Sequence, residues 1–284
     1  MNNLNLGQRV KNLTKKVITR FPIISRYLLG IFLFGAALFL GGMINKGALK
    51  DYFPYTPVLL LLLATWLLYR LDKQSLKSIG LTITRKHIFL LAFGVLIGAV
   101  AFLGSKYISA LYLDETITLR NSVNISAILL SLYYILPQVA TEEFLFRGYL
   151  FKKTISTTNV VIANVIFSII FMLIHVLDEN VLQNRGMIIL LAVSIPVGHL
   201  LFATALLKSK TLFFPIGIHL GNNWATRHLI STSSEADSIF LLSNVVTFDT
   251  WPPFIMMLLL TNGFFLLVTL VIWKWDVLLG YLKR

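Results

Sequence analysis

Residues 88–111 read IFLLAFGVLIGAVAFLGSKYISAL, with Lys106 the one charged side chain in the run. A helix rises about 1.5 Å per residue, so about 20 such residues cross the roughly 30 Å hydrocarbon core of a bilayer. A surface helix of a soluble protein needs a polar face, and this run has none. Its surroundings are therefore lipid. Outward from it, the same reading applies to residues 27–44, 54–69, 126–151, 159–177, 186–207, 211–225 and 253–273, of which 54–69 and 211–225 are short. The expected fold is an all-α, polytopic transmembrane bundle of about eight spans. Residues 1–26 form a basic N-terminal segment and 27–284 a single membrane domain.

Composition agrees. Hydrophobic residues make up 57% of the 284-residue chain and charged residues 13%, and the mean hydropathy is +0.79. Soluble domains carry about 25% charged residues because their surfaces face water. A water-soluble enzyme, a coiled coil and a disordered chain are excluded. The absence of cysteine also excludes disulfides, thiolate metal sites and a cysteine nucleophile.

The net charge of +13 is a matter of topology. Lys and Arg accumulate in cytoplasmic loops. With the N-terminus inside, they crowd the segment before Tyr27 and the loops after the second, fourth and sixth runs. Most acids, among them Asp114, Glu115, Asp178, Glu179, Glu235 and Asp237, fall on the other side, while Asp72 and Asp276 stay inside. Both termini are expected in the cytoplasm. The basic residues meet anionic headgroups, so membrane lipids, and not nucleic acid, are the expected partners. The N-terminal segment is not read as a secretory signal, since further spans follow the first. Leu4, Val10, Leu13 and Val17 suggest an amphipathic helix over residues 2–20 on the inner surface. The outer loop 226–251, with Ser231, Ser233 and Ser234 near its start, is expected to be mobile. With no organelle signal in view, the expected location is a bacterial plasma membrane.

Polar residues inside these runs carry the functional information. A charge at the bilayer centre costs about 2.5–3.5 kcal/mol on insertion scales, so such residues face the bundle interior and mark function by default. The first group is Thr141-Glu142-Glu143-Phe144-Leu145-Phe146-Arg147-Gly148. Glu143 and Arg147, four apart, share a helical face and can pair. Glu142 points about 100° away and has no such partner, which marks it as the reactive carboxylate and the other two as structural support. The second group is Phe171-Met172-Leu173-Ile174-His175. The third is His219-Leu220-Gly221-Asn222-Asn223, where His219 and Asn223 share a face and Gly217 and Gly221 form a small-residue packing stripe. Taken singly, His175 reads as a locally hydrogen-bonded helix end and His219–Asn223 as a polar pair holding helices together. Taken together, they are the parts of a water-activating hydrolytic site: a base, and donors for an oxyanion. His199 reads as packing or support, and His87 as interfacial.

The ordered set resembles the CAAX prenyl endopeptidase type 2 and bacteriocin-processing (CPBP, or Abi) family of intramembrane proteases. Its Glu-Glu-x-x-x-Arg motif is matched by Glu142 to Arg147, its Phe-x-x-x-His by Phe171 to His175, and its His-x-x-x-Asn by His219 to Asn223, over residues 126–225. The resemblance implies that Glu142 activates water with His175 assisting, that His219 and Asn223 stabilise the oxyanion, and that the substrate is a membrane-associated protein or peptide, reached from the cytoplasmic side. Two alternatives remain at this point: a catalytically idle membrane regulator or bacteriocin-immunity protein, and a transporter relaying protons through Glu142, Glu143 and His175. A Zn²⁺ ion held by Glu142, His175 and His219 is the alternative to a metal-free mechanism. Depth raises one conflict. In upright helices His175 lies about 10 Å further from the inner face than Glu142, unless its helix begins near Ala163 or tilts.

Overall fold

The computed structural model describes residues 20–282, with side chains through Asp276. The helix expected over residues 2–20 thus lies, but for Arg20, outside the described residues. The chain runs α1 (Pro22–Ile44), α2 (Ala48–Tyr52), α3 (Thr56–Leu71), a short 3-10 turn (Leu76–Ile79), α4 (Arg85–Leu113) and β1 (Thr116–Leu119). It continues with α5 (Ile125–Arg147), α6 (Tyr149–Thr157), α7 (Val160–Val176), α8 (Glu179–Leu182), α9 (Arg185–Ser209) and α10 (Phe213–Trp224). A π-helical turn (Ala225–Leu229), β2 (Ile230–Ser231), β3 (Phe240–Ser243) and α11 (Trp251–Leu282) complete it. The fold is an all-α membrane bundle, and each of the eight apolar runs holds a helix. Among the described residues, 5 segments are long and apolar enough to cross a membrane: Pro22–Ile44, Arg85–Leu113, Ile125–Thr157, Arg185–Ser209 and Trp251–Asp276. The helices α3 and α7 are shorter apolar ones.

Local chemistry sets the helix ends. Thr84, Asn124, Asn159 and Asn184 each accept a backbone N–H in the first turn of α4, α5, α7 and α9, contacts worth about 1 kcal/mol apiece. The run at 126–151 is not one continuous helix. It breaks at Gly148, where a Cβ would meet the carbonyl of Phe144. Inside α5, Pro137 has no N–H to offer the carbonyl of Tyr133, four residues back. That carbonyl accepts the Tyr55 hydroxyl instead, at 2.8 Å. The hydroxyl of Tyr133 in turn bonds the Tyr52 carbonyl, so the proline defect fastens α5 to the α2–α3 corner.

The closest helix contact is between α4 and α10, which run parallel. A Cβ on Gly98 would fall on the backbone of Ile218, and one on Gly217 or Gly221 on the carbonyls of Leu91 or Val95. The stripe of Gly217 and Gly221 expected from the sequence thus has a counterpart in Gly94 and Gly98. Backbone, unlike a flexible side chain, cannot yield. Gly221→Ala is expected to destabilise by about 3 kcal/mol, at the upper end for overpacking, seen as a lower thermal midpoint in detergent. Gly42→Ala, with open space around its Cβ position, serves as the neutral control.

The two ends of the bundle differ. At one end Asp72 accepts Arg26, Lys153 and the Tyr149 hydroxyl, each at 2.8 Å, joining α1, α3 and α6. Burial raises the pKa of this carboxyl, but the hydrogen bonds from Lys153 and Tyr149 and the charges of Lys153 and Arg26 outweigh it and hold it below the usual carboxylate range. The other end carries a 3-stranded sheet in the order β1-β3-β2, with β1 antiparallel and β2 parallel to β3. Arg120 donates to the Ser238 hydroxyl at 3.0 Å, to the Ser234 carbonyl at 2.7 Å and to the Ser233 carbonyl. The segment expected to be a mobile loop is therefore tied into the sheet. Two of the three acceptors of Arg120 there are backbone carbonyls and one is a hydroxyl.

Candidate active site

The first motif occupies the last turns of α5. Glu143 and Arg147, four residues apart, pair at 3.1 Å with both side chains 0% exposed. The guanidinium lies 4.4 Å from the ring centroid of Phe171 and 5.0 Å from that of Phe202, so α7 and α9 sandwich it between aromatic faces. Flat, delocalised Arg suits such a slot, and Lys does not. Phe171 therefore has a physical part beyond marking the second motif.

Facing α5, the residues of α10 from Phe214 to Gly221 are buried, and His219 reaches both glutamates. Its Nδ1 is 2.8 Å from Glu143 Oε1 and its Nε2 is 3.6 Å from Glu142 Oε2. A carboxylate accepts only, so Nδ1 is the donor to Glu143, and Nε2 is the nitrogen turned to Glu142. The imidazole stacks on Phe202, centroids 4.5 Å apart, which fixes its plane. Glu143 is thus both the partner of Arg147 and the orienting group of His219. Asn223 lies one turn beyond His219 on the same face of α10, half-buried, and its Oδ1 receives Asn222 Nδ2 at 3.4 Å.

Glu142, read from the sequence as lacking a helical partner, has one. Gln138 Nε2 donates to its Oε1 at 3.1 Å, and Gln138 Oε1 accepts from Arg227 Nη1 at 3.1 Å. The sequence signal for Gln138 was present in the spacing: an amide four residues before a carboxylate, within an apolar helix. Arg227 gave none, since it counts as an ordinary loop charge and is brought in by a π-helical turn, a form that often marks functional sites. Gln138→Ala is expected to lower turnover by about tenfold, the low end for losing a hydrogen bond to a charged group. Thermal stability should not change, since Gln138 is exposed.

His175 is placed differently from the other motif residues. The helix α7 begins at Val160, so the later start that would have matched its depth to Glu142 does not occur. Its Nδ1 sits 2.7 Å from the Phe171 carbonyl, leaving Nε2 available. Its ring meets the edge of Phe171 at 4.7 Å, and Phe171 in turn lies 6.4 Å from His219. One aromatic ring thus touches both imidazoles. His199 is buried against Phe151 with no hydrogen-bond partner for either ring nitrogen among the described residues, a packing role. His87 stacks on Phe213, outside the cluster.

A zinc hydrolase site needs three protein donors and one open position. Here Glu142 and His219 Nε2 approach each other, His219 Nδ1 is engaged by Glu143, and His175 bonds its own helix. Among the described residues no three His, Cys, Asp or Glu side chains are grouped to hold a metal ion. The donor set does not fit a three-ligand zinc site.

The three motifs all fall within the segment that a family model matches. The model described as type II CAAX prenyl endopeptidase Rce1-like aligns with residues 124–225. No curated protein and no solved structure matches the chain.

Proposed function

From the match of residues 124–225 to the type II CAAX prenyl endopeptidase Rce1-like family model, we propose that the protein is an intramembrane endopeptidase in which Glu142 activates water. The observation that carries this reading is the convergence of Glu142 and the oriented His219 Nε2, 3.6 Å apart, inside the helical bundle. Water bound to Glu142 attacks the scissile carbonyl and gives its proton to the carboxylate. The resulting oxyanion is met on α10 by the side-chain N–H of Asn223 and, when both of its ring nitrogens carry protons, by His219 Nε2–H. Collapse breaks the C–N bond, and Glu142 returns the proton to the leaving amine. Glu143, held by Arg147, keeps His219 in one orientation. His175 has its Nδ1 turned to the Phe171 carbonyl, and its part in assisting at the attacking water rests on the family resemblance alone. The substrate is a membrane-associated peptide or protein.

The test compares peptides released by cells carrying the wild-type protein and cells carrying Glu142→Gln. A peptide terminus present only with wild type supports the reading and identifies the substrate. A phenotype that survives Glu142→Gln with no change in termini would leave a binding or regulatory protein instead. A zinc chelator added to the purified protein is expected to leave cleavage of that peptide intact. Its loss, with recovery on adding Zn²⁺, would reinstate the metal.

A further inference from the structure

The direction in which the site opens follows from exposure along α5. Gln138 is exposed. One turn on, the Glu142 side chain is 15% exposed, and another turn on Arg147 is 0% exposed. Beyond Arg147, toward the Asp72 end, the way is filled. Phe146, Tyr149, Phe151, Ile79 and Leu212 are all buried. The Thr211 hydroxyl on the Gly80 carbonyl and the Leu212 N–H on the Ile79 carbonyl stitch the two loops there together.

Toward the sheet, the surroundings are open and polar. Asn222 and Asn223 are half-buried, and Arg227 is exposed. A depression of about 520 Å³ borders Gln138 and includes Asn45, Lys50 and Asp51. Another of about 350 Å³ borders Arg227 and includes Lys106, Ser231 and Thr232. Ionic side chains facing hydrocarbon are costly, so these depressions are wetted. The chain Arg227–Gln138–Glu142 is a continuous polar path from them to the carboxylate.

We propose that Glu142 is reached from the sheet-bearing end of the bundle, that this end faces away from the cytoplasm, and that the protein cleaves a polypeptide segment presented on that non-cytoplasmic side. The facing follows from charge. Lys and Arg are more numerous at the Asp72 end, among them Arg26, Lys77, Lys152, Lys153 and Lys208, than at the sheet end, which holds Lys50, Lys106, Arg120 and Arg227 among its own, the excess that places the first end inside. This reverses the cytoplasmic opening expected from the sequence. Only the word "cleaves" rests on the hydrolytic reading above; the route itself does not.

The absence of cysteine makes the test direct, since one introduced cysteine is the only thiol in the chain. Lys50→Cys reports the sheet end, Ser156→Cys the Asp72 end, and Gln138→Cys and Asn223→Cys the opening from its two facing helices. Intact cells are treated with a membrane-impermeant maleimide, before and after permeabilisation. The expected result is labelling of Lys50→Cys, Gln138→Cys and Asn223→Cys in intact cells, with Ser156→Cys labelled only after permeabilisation. If Gln138→Cys and Asn223→Cys label together with Ser156→Cys, or at neither stage, the route is wrong. If Lys50→Cys requires permeabilisation, the facing is wrong. The readout needs no catalysis, so an inactive protein that labels as expected overturns the proposed reaction and leaves the route standing.

Discussion

Glu142→Gln is expected to reduce peptide cleavage by about 10²–10⁴-fold, the range of a positioned general base, while the protein melts as wild type does. The two halves belong together because of where the carboxylate lies. Its side chain is partly exposed, and Gln138 is its direct donor. An amide at the same place can still hydrogen-bond to Gln138, so the fold loses little. It cannot take a proton from water, so the reaction loses its base. Glu142→Asp, a methylene shorter, keeps the base but draws it away from His219 Nε2, and an intermediate rate is expected. Initial rates on the identified peptide, with thermal unfolding of the same preparations, check both. A large fall in melting temperature for Glu142→Gln would place Glu142 among the structural groups instead.

The opposite pattern is expected at Arg147. Arg147→Ala strands the Glu143 carboxylate in a site with no exposure and empties the slot between Phe171 and Phe202. Removing one partner of a buried ion pair costs about 3–5 kcal/mol, a large share of a typical domain's net stability, and activity falls because little folded protein remains. The double variant Glu143→Gln/Arg147→Met separates charge from catalysis. With no unpaired charge left, much of the stability is expected to return. Activity is not, since a neutral amide holds the His219 Nδ1–H more weakly than a carboxylate does. Unfolding midpoints and rates for the single and double variants form the comparison. A double variant as unstable as Arg147→Ala would mean that packing, and not charge, holds this part of the bundle.

The parts of the structure legible in the sequence are those set by local pattern. Apolar run length locates the helices, because a backbone in lipid must satisfy its own hydrogen bonds. Spacing of four pairs Glu143 with Arg147 and places His219 and Asn223 on one face. The illegible parts depend on long-range approach. Nothing near Gly94 and Gly98 says that α10 lies against them. Nothing near Tyr55 says that its hydroxyl serves the carbonyl freed by Pro137. The Glu143–Arg147 pair followed from helix geometry, yet the link from Glu143 to His219 did not, being a contact between residues 76 apart in the chain. The segment 231–238 reads as a loose loop because nothing near it says that the carbonyls of Ser233 and Ser234 and the hydroxyl of Ser238 meet Arg120, more than a hundred residues earlier.

The helix that carries His219 has 12 residues, about 18 Å against a hydrocarbon thickness of about 30 Å, and its residues from Phe214 to Gly221 are all buried within the protein. Such a segment has no means of partitioning into a bilayer by itself. Biogenesis is thereby ordered: the longer neighbours enter first, and the short helix docks into the sheath they provide. Fused alone behind a reporter, it should fail to insert. Until docking, Glu142 and His219 are apart, so on the proposed reading a half-made chain emerging among other nascent membrane proteins has no means of cutting them.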